Sequence, residues 1–435
     1  MKIMTTYSVK IKNYSHIFKE TVEIYRSAVD FFIDVINEEW NSLRGLPGTS
    51  STAPVEALTV AAGKRPAVKY DFSRDFYKFP SYLRRAAIAE AYGRVSSYKS
   101  NMENWESDHA GKRPRLTSCG HVFPAMYRDN MFVRKDTYTA RIKVYIRNTW
   151  DWLEVSLKKS DVDYIERHCR TRKECVPTLR KRGREWFLDF SFEEKVKLKD
   201  TPISGQTILA VDLGINNAAT ISVMCSDGTI LGREFLSLAR EQDCLMHSIN
   251  RIKKAQQRGN RRTPRLWAGA KGINHDIAVK TAQYITDIAM LYDADVIVFE
   301  HLDRSGKKRG SKKQRLHMWR CNEVQAIVTN KAHRLGVHIS HINAWNTSRL
   351  AYDGSGLVER GIDGSYSICR FKTGKIYNCD LSAAYNIGAR YFIREVLKSC
   401  SEKKRLQLEA KVPQVSRRST CTLSTLISLN AALVS

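Results

Sequence analysis

Apolar and polar residues change their rhythm several times along this chain, and each change marks an element. Met4 to Lys12 alternate around Tyr7, Val9 and Ile11, the period of a half-buried strand. From about Phe18 to Leu43 the rhythm turns helical, with Ile24, Ala28, Phe31, Phe32, Val35 and Ile36 on one face. A stretch rich in Gly, Pro, Ser and Thr, from about Gly45 to Pro66, is predicted as loop. A second helix is expected from Ser81, with Leu83, Ala86, Ala87 and Ala91 as its packing stripe. Between about Leu116 and Val196 short strands follow, at Tyr138–Tyr145, Trp152–Leu157 and Trp186–Phe192, with Trp150, Trp152 and Trp186 as core residues. Lys195 to Gly205 is polar, contains Pro202 and reads as a linker.

Past the linker the pattern is more regular. Strands are predicted at 207–212 and 218–224, then an Asp227-Gly228 turn and a strand at 229–235. A long helical zone reaches about Tyr292, and a strand at 296–300 follows. A basic loop and a helix then run to about Leu335, before a last strand at 337–342. Three strands, helix, strand, helix, strand is the order of an RNase H-like domain. The apolar run Ile208-Leu209-Ala210-Val211 ends in Asp212, and Val296-Ile297-Val298-Phe299 ends in Glu300. A third acid, Asp380, stands before Leu381-Ser382-Ala383-Ala384, at the expected first turn of a helix, where the dipole favours an ionised carboxylate.

Charge makes these acids informative. The chain has 435 residues, enough for two or three domains. Its 72 Lys and Arg against 45 Asp and Glu give a net charge of +27, a field that draws in polyanions. No stretch approaches the roughly 18 apolar residues of a membrane span, so nucleic acid is the expected partner and membrane is not. The N-terminal residues show no apolar signal region, and the ten cysteines form no C-x-x-C pair. That argues against a disulfide framework and for a reducing, intracellular compartment.

Apolar strands do not carry acids at their tips for packing. In a basic chain, Asp212, Glu300 and Asp380 are read as the catalytic, metal-holding residues of a nuclease with two Mg²⁺ ions. Mg²⁺ takes hard oxygen ligands and keeps several waters, so a few carboxylates from separate elements suffice. Asp212 would bridge the ions, with Gly214 permitting close backbone approach. Asp-Leu-Gly after a strand also opens the phosphate loop of sugar-kinase-like ATPases, but the further Gly-rich loops of that class are missing and the charge is wrong for it. Two basic runs are candidate nucleic-acid contacts: Lys253, Lys254, Arg258 and Arg261, and the segment past Glu300 with Lys307, Lys308, Arg309, Lys312 and Lys313.

Three stretches together carry a family resemblance. Ala210-Val211-Asp212-Leu213-Gly214-Ile215-Asn216, Val298-Phe299-Glu300-His301-Leu302 and Asp380-Leu381-Ser382-Ala383-Ala384-Tyr385-Asn386-Ile387-Gly388 resemble the three RuvC motifs of transposon-encoded TnpB proteins and of the miniature type V CRISPR effectors that share them. The resemblance implies an α+β multidomain protein. A β-barrel-like wedge domain (1–15 and 116–200) would be interrupted by a helical recognition insertion (16–115). A RuvC nuclease domain (205–345) would follow, then a zinc-ribbon insertion (346–379), the third-motif helix (380–398) and a tail (399–435). It implies a guide RNA, double-stranded target DNA bound as heteroduplex and displaced strand, Mg²⁺-dependent cutting beside a short flanking motif, and a prokaryotic cytoplasmic setting, nucleoid-associated when DNA is bound. A nuclease-inactive RNA-guided DNA-binding protein is the alternative, disfavoured because all three acids are present. Within the insertion, Tyr82, Arg84 and Arg85 become candidate readers of the flanking motif.

Two positions depart from the family pattern. Ser382 stands where the family's third motif has Asn. The stretch Thr347-Ser348-Arg349-Leu350-Ala351-Tyr352-Asp353-Gly354, where the ribbon's first cysteine pair belongs, has no cysteine, and only Cys369 and Cys379 remain downstream. Structural zinc needs four Cys or His ligands. A degenerate, zinc-free ribbon is therefore expected. The tail beyond Lys398 shows no chemistry of its own.

Overall fold

The computed structural model describes residues 1–13, 16–46, 51–63, 66–109, 111–116, 120–127, 129–302, 319–361, 367–417 and 419–434. It is an α+β chain that divides into two compact units, Lys2–Glu194 and Lys195–Ser435, the latter together with Met1. Among the described residues no helix is long and apolar enough to cross a membrane.

The first unit runs β1 (Lys2–Lys10), α1 (Ile17–Glu38), α2 (Trp40–Leu43), α3 (Thr52–Thr59), α4 (Phe72–Asp75), α5 (Ser81–Asp108), β2 (Phe132–Arg134), β3 (Thr139–Ile146), β4 (Thr149–Ser156), α6 (Lys159–Cys169), β5 (Lys173–Glu174), β6 (Thr178–Arg182) and β7 (Glu185–Lys195). The strands form two sheets, one of β1, β7, β5 and β6 and one of β2, β3 and β4, with single bridges at Ile11–Leu157 and Ala125–Thr178. Helix α1 buries Phe18, Val22, Tyr25, Val29, Phe32 and Ile36 at helical spacing. Phe72 stacks on both Phe32 and Phe76, at centroid distances of 4.8 and 4.6 Å. Two elements differ from the sequence expectation. The Gly/Pro/Ser/Thr-rich stretch contains α3, a two-turn helix that buries only Val55 and Thr59. The run of strands contains α6, which buries Val162, Ile165 and Cys169.

The second unit continues with β8 (Thr207–Asp212), β9 (Asn217–Cys225), β10 (Ile230–Ser237), α7 (Ala239–Gln257), α8 (Pro264–Leu291), β11 (Val296–His301), α9 (Cys321–Arg334), β12 (His338–Asn343), β13 (Glu359–Arg360), β14 (Ile368–Arg370), β15 (Ile376–Asn378), α10 (Cys379–Ser399), α11 (Glu402–Lys411) and α12 (Leu423–Val434). Its main sheet has the order β10-β9-β8-β11-β12. Strand β9 lies antiparallel to β8 and β10, whereas β8, β11 and β12 are mutually parallel.

Side chains alternate across a strand, so this sheet sorts its residues onto two faces. Leu209, Val211, Ile297 and Phe299 join one core with Ala282 and Ile285 of α8 and Val324 and Val328 of α9. Ile208, Ala210, Val296 and Val298 join another with Leu381, Tyr385 and Phe392 of α10. Burial on both faces accounts for the nearly continuous apolar runs of β8 and β11. Helix α10 approaches the sheet closely at Gly388. A Cβ there would lie 3.0 Å from Met224 Sδ and 3.2 Å from Ala210 Cβ. The tail differs from its sequence reading too, because Leu423, Leu426 and Leu429 of α12 belong to this same core.

Candidate active site

The alternation that builds the sheet also places the acids. Asp212 has the parity of Ile208 and Ala210, and Glu300 that of Val296 and Val298, so both project from the α10 face. In register, Val298 pairs with Ala210 and Phe299 with Val211, which brings Glu300 to the level of Asp212 on the neighbouring strand. Asp380 is in the first turn of α10, whose N-cap Asn378 accepts the Leu381 amide at 2.9 Å. Three acids distant in sequence thus meet at one end of the sheet.

Their electrostatics are those of crowded anions. Asp212 is half-buried at the end of β8. Burial, then the charges of Glu300 and Asp380, hold its proton affinity well above the ordinary carboxylate range, and Arg360 opposes them. Burial also raises Glu300, while a hydrogen bond from Thr347 and the charge of Arg390 favour its ionised form. The Thr347 hydroxyl donates to Glu300 Oε1. Gln325 Nε2 donates to the Glu300 carbonyl at 3.1 Å, and Asn217 Nδ2 donates to Asp380 Oδ2 at 3.3 Å. Gly214 turns the chain after Asp212 so tightly that a Cβ would meet the Asn217 carbonyl oxygen at 2.6 Å.

Among the described residues no three His, Cys, Asp or Glu side chains close on one point as a ready-made cage. Two Mg²⁺ ions about 3.5–4 Å apart need carboxylates spread around them, with water completing each shell. A cluster of oxygen-only acids whose mutual repulsion raises the central one fits such cations in its donor set. Bound cations would relieve that repulsion.

The residues around the acids escaped the sequence reading. Thr347, Asn386 and Arg390 are polar residues buried to at least nine-tenths. Each acts through backbone or side-chain groups from distant segments, which no local pattern announces. Arg360, whose guanidinium donates to the Ser348 carbonyl, was equally invisible.

The ribbon stretch forms a three-stranded antiparallel sheet of β13, β14 and β15. Cys369 and Cys379 are buried there beside Ala351 and Phe371. Burial and the neighbouring Cys379 thiol push the Cys369 thiol up to about 12. Tyr352 packs edge-on against Phe371, Tyr377 and Tyr385 at 5.5, 5.1 and 5.1 Å between ring centroids.

The nucleic-acid candidates fall in several places. Lys253 and Lys254 lie in the last turns of α7, with Arg258 and Arg261 just beyond, all exposed. Lys307, Lys308, Arg309, Lys312 and Lys313 lie outside the described residues. In α5, Arg84 gives its Nε and Nη2 to Glu56 Oε1 at 3.1 and 2.9 Å, both side chains being about four-fifths buried. Arg85 is half exposed, 3.6 Å from the same oxygen, with its guanidinium 5.7 Å from the ring centre of Tyr82.

Comparison with known proteins gives two kinds of match. The Aq_aa04 family model matches residues 5–146, all within the first unit. The chain is similar to the TnpB-like protein aq_aa05 of Aquifex aeolicus (strain VF5), 28% identical over 235 residues, which cover 48% of this chain and 74% of that protein. It is also similar to the uncharacterized protein aq_aa04 of the same organism, 28% identical over 145 residues, covering 28% of this chain and 82% of that one. Among solved structures, a chain of a Cas12f1–sgRNA–target DNA complex is 14% identical with a TM-score of 0.35, covering 88% of this chain and 98% of that one. Over about half of its length the chain is thus similar to a TnpB-like protein.

Proposed function

We propose that the protein is a guide-RNA-directed, Mg²⁺-dependent DNA endonuclease of the TnpB and miniature type V kind, with Asp212, Glu300 and Asp380 as its catalytic acids. The observation that carries this reading is the placement of Asp212, Glu300 and Asp380 at one end of the sheet, at the tips of β8 and β11 and in the first turn of α10. The strand order with antiparallel β9 supports an RNase H-like, RuvC-type unit, and the motif resemblance and the TnpB-like relative point the same way. The net charge of +27 suits a body that holds guide RNA and target DNA by their backbones.

Asp212, Glu300 and Asp380 would hold the cations. When bound, two Mg²⁺ ions would activate a water and stabilise the leaving oxygen of a phosphodiester. Thr347 orients Glu300 and favours its ionised form, and Asn217 orients Asp380. Exposed Lys253, Lys254, Arg258 and Arg261 are suited to phosphate contacts. The ribbon stretch, whose sequence over 346–379 holds two Cys and no His, is read as zinc-free.

The test starts from the protein as purified with its co-purifying RNA, which is sequenced to define a matched target. Asp212→Ala, Glu300→Ala and Asp380→Ala should each abolish cleavage in Mg²⁺ while leaving RNA binding close to wild type. Normal cutting by any one variant removes that residue from the site. RNA-directed DNA binding by a wild-type protein that never cuts favours the nuclease-inactive alternative.

A further inference from the structure

Behind the acid site, α10 carries two buried polar side chains one turn apart on a shared face. Asn386 is fully buried. Its Nδ2 donates to the carbonyls of Thr347 and Leu350 at 3.0 and 2.9 Å, and its Oδ1 accepts the Leu423 amide at 3.3 Å. Arg390, 5% exposed, donates from Nε to the Cys421 carbonyl at 3.1 Å and from Nη2 to that of Ser419 at 3.1 Å. Its Nη1 donates to the carbonyls of Asn343 and Trp345 at 2.9 and 2.7 Å. Backbone carbonyls therefore take the place of a carboxylate partner around a buried guanidinium.

Such a group is stable only while its acceptors stay in place, because an unsatisfied buried charge is costly. The acceptors come from two segments. One is 343–350, which follows β12 and carries Thr347, the donor to Glu300. The other is 419–423, the segment that leads into the tail helix α12. From Asp380 the connection runs along α10 to Asn386 and Arg390, across to 343–347, and through Thr347 to Glu300. The tail completes it from behind. The charge of Arg390 also favours ionised Glu300.

We propose that Arg390 and Asn386 are positioning residues that set Glu300 relative to Asp380, and that segment 419–423 is an obligatory part of this clamp. The proposal rests on the nuclease reading above. Outer partners of metal-binding side chains typically change metal affinity by about 10- to 100-fold when removed. Misplacing a reacting group by an ångström lowers rates by about 10²-fold.

The experiment compares full-length Arg390→Met, Arg390→Lys and Leu429→Ala with wild type, each with guide RNA. Leu429 is a fully buried α12 residue in the same core and has no part in the clamp. Three quantities are read: single-turnover cleavage, Mn²⁺ affinity by electron paramagnetic resonance, and amide hydrogen exchange of 343–350. Arg390→Met should slow cleavage by about 10²-fold, weaken Mn²⁺ binding by at least about tenfold, and speed exchange in 343–350. Arg390→Lys should recover part of each. Leu429→Ala should lower the melting temperature but leave cleavage and Mn²⁺ affinity near wild type in the folded range. If Arg390→Met behaves like Leu429→Ala, Arg390 is a brace and the proposal fails. If wild type, like Asp212→Ala, does not cut at all, the nuclease reading fails. The clamp is then decided by Mn²⁺ affinity and exchange, where unchanged values overturn it.

Discussion

Replacing Asp212 by Asn removes a charge that the metal-free protein holds at a disadvantage, so the variant should be more stable than wild type at neutral pH. Burial and the charges of Glu300 and Asp380 raise the proton affinity of the Asp212 carboxylate in the folded protein. In the unfolded chain it titrates near 3.9. Between that value and its folded value the native state keeps a proton that the unfolded chain has released. Stability therefore falls as pH rises through this window, and above the folded value the whole penalty is in force. Below pH ~3.9 both states are protonated and the penalty is absent.

Each pH unit of displacement corresponds to about 1.4 kcal/mol. For a unit of this size, about 2–4 °C of melting temperature follows each kcal/mol. Asp212→Asn should thus melt about 3–6 °C higher at pH 8 for every pH unit by which Asp212 is displaced. Glu300→Gln should gain less, because the Thr347 hydrogen bond and Arg390 already favour the charged form of Glu300. Thermal unfolding in chelator at pH 8 and pH 3.5, then in Mg²⁺, checks this. Mg²⁺ should raise the wild-type melting point and barely move that of the variant. The reasoning is refuted if the variant gains nothing at pH 8, or gains as much at pH 3.5.

Further outcomes follow from the same geometry. Metal analysis should find no stoichiometric zinc, and a chelator should leave the unfolding of the Mg²⁺-free protein unchanged; one tightly held zinc per chain would make Cys369 and Cys379 the first ligands to replace. Gly214→Ala should force open the turn behind Asp212, since the new Cβ meets the Asn217 oxygen at 2.6 Å. A loss of about 1–3 kcal/mol together with much weaker cleavage is expected, and a fully active, equally stable variant would contradict it. Arg85→Ala should lower duplex cleavage in a randomised flanking-motif assay without changing melting. Arg84→Ala should in addition lose about 1–3 kcal/mol as Glu56 loses its hydrogen-bonded partner and keeps only the more distant Arg85. If neither changes cleavage or motif preference, α5 is scaffold at this end.

What could be read from the sequence was whatever periodicity encodes. Strands β8 and β11 are legible because both of their faces are buried, which leaves unbroken apolar runs, and a carboxylate ending such a run has no packing reason to be there. Helix α3 was not legible: two buried residues in two turns, amid Ser, Thr, Ala and Pro, make no measurable period. In α6, Val162, Ile165 and Cys169 carry helical spacing, but three such positions among strands of similar length do not make a distinctive signal. The tail is a sharper case. Leu423, Leu426 and Leu429 repeat on one helical face, so their core membership is readable from spacing although they carry no chemistry.

The rest of the site was hidden for a different reason. Asn386 and Arg390 bond mainly to carbonyl oxygens, which every residue possesses, so the partners leave no mark on the composition of 343–350 or 419–423. Thr347 meets Glu300 only because β12 lies parallel to β11 with Ile342 level with Glu300, which places the segment after β12 beside the acid. Motif reading finds the groups that would hold cations because their chemistry restricts residue type. It misses the groups that set the distances between them, because positioning restricts only geometry. Variants with intact acids and altered Arg390 or Asn386 therefore separate having the ligands from having the site.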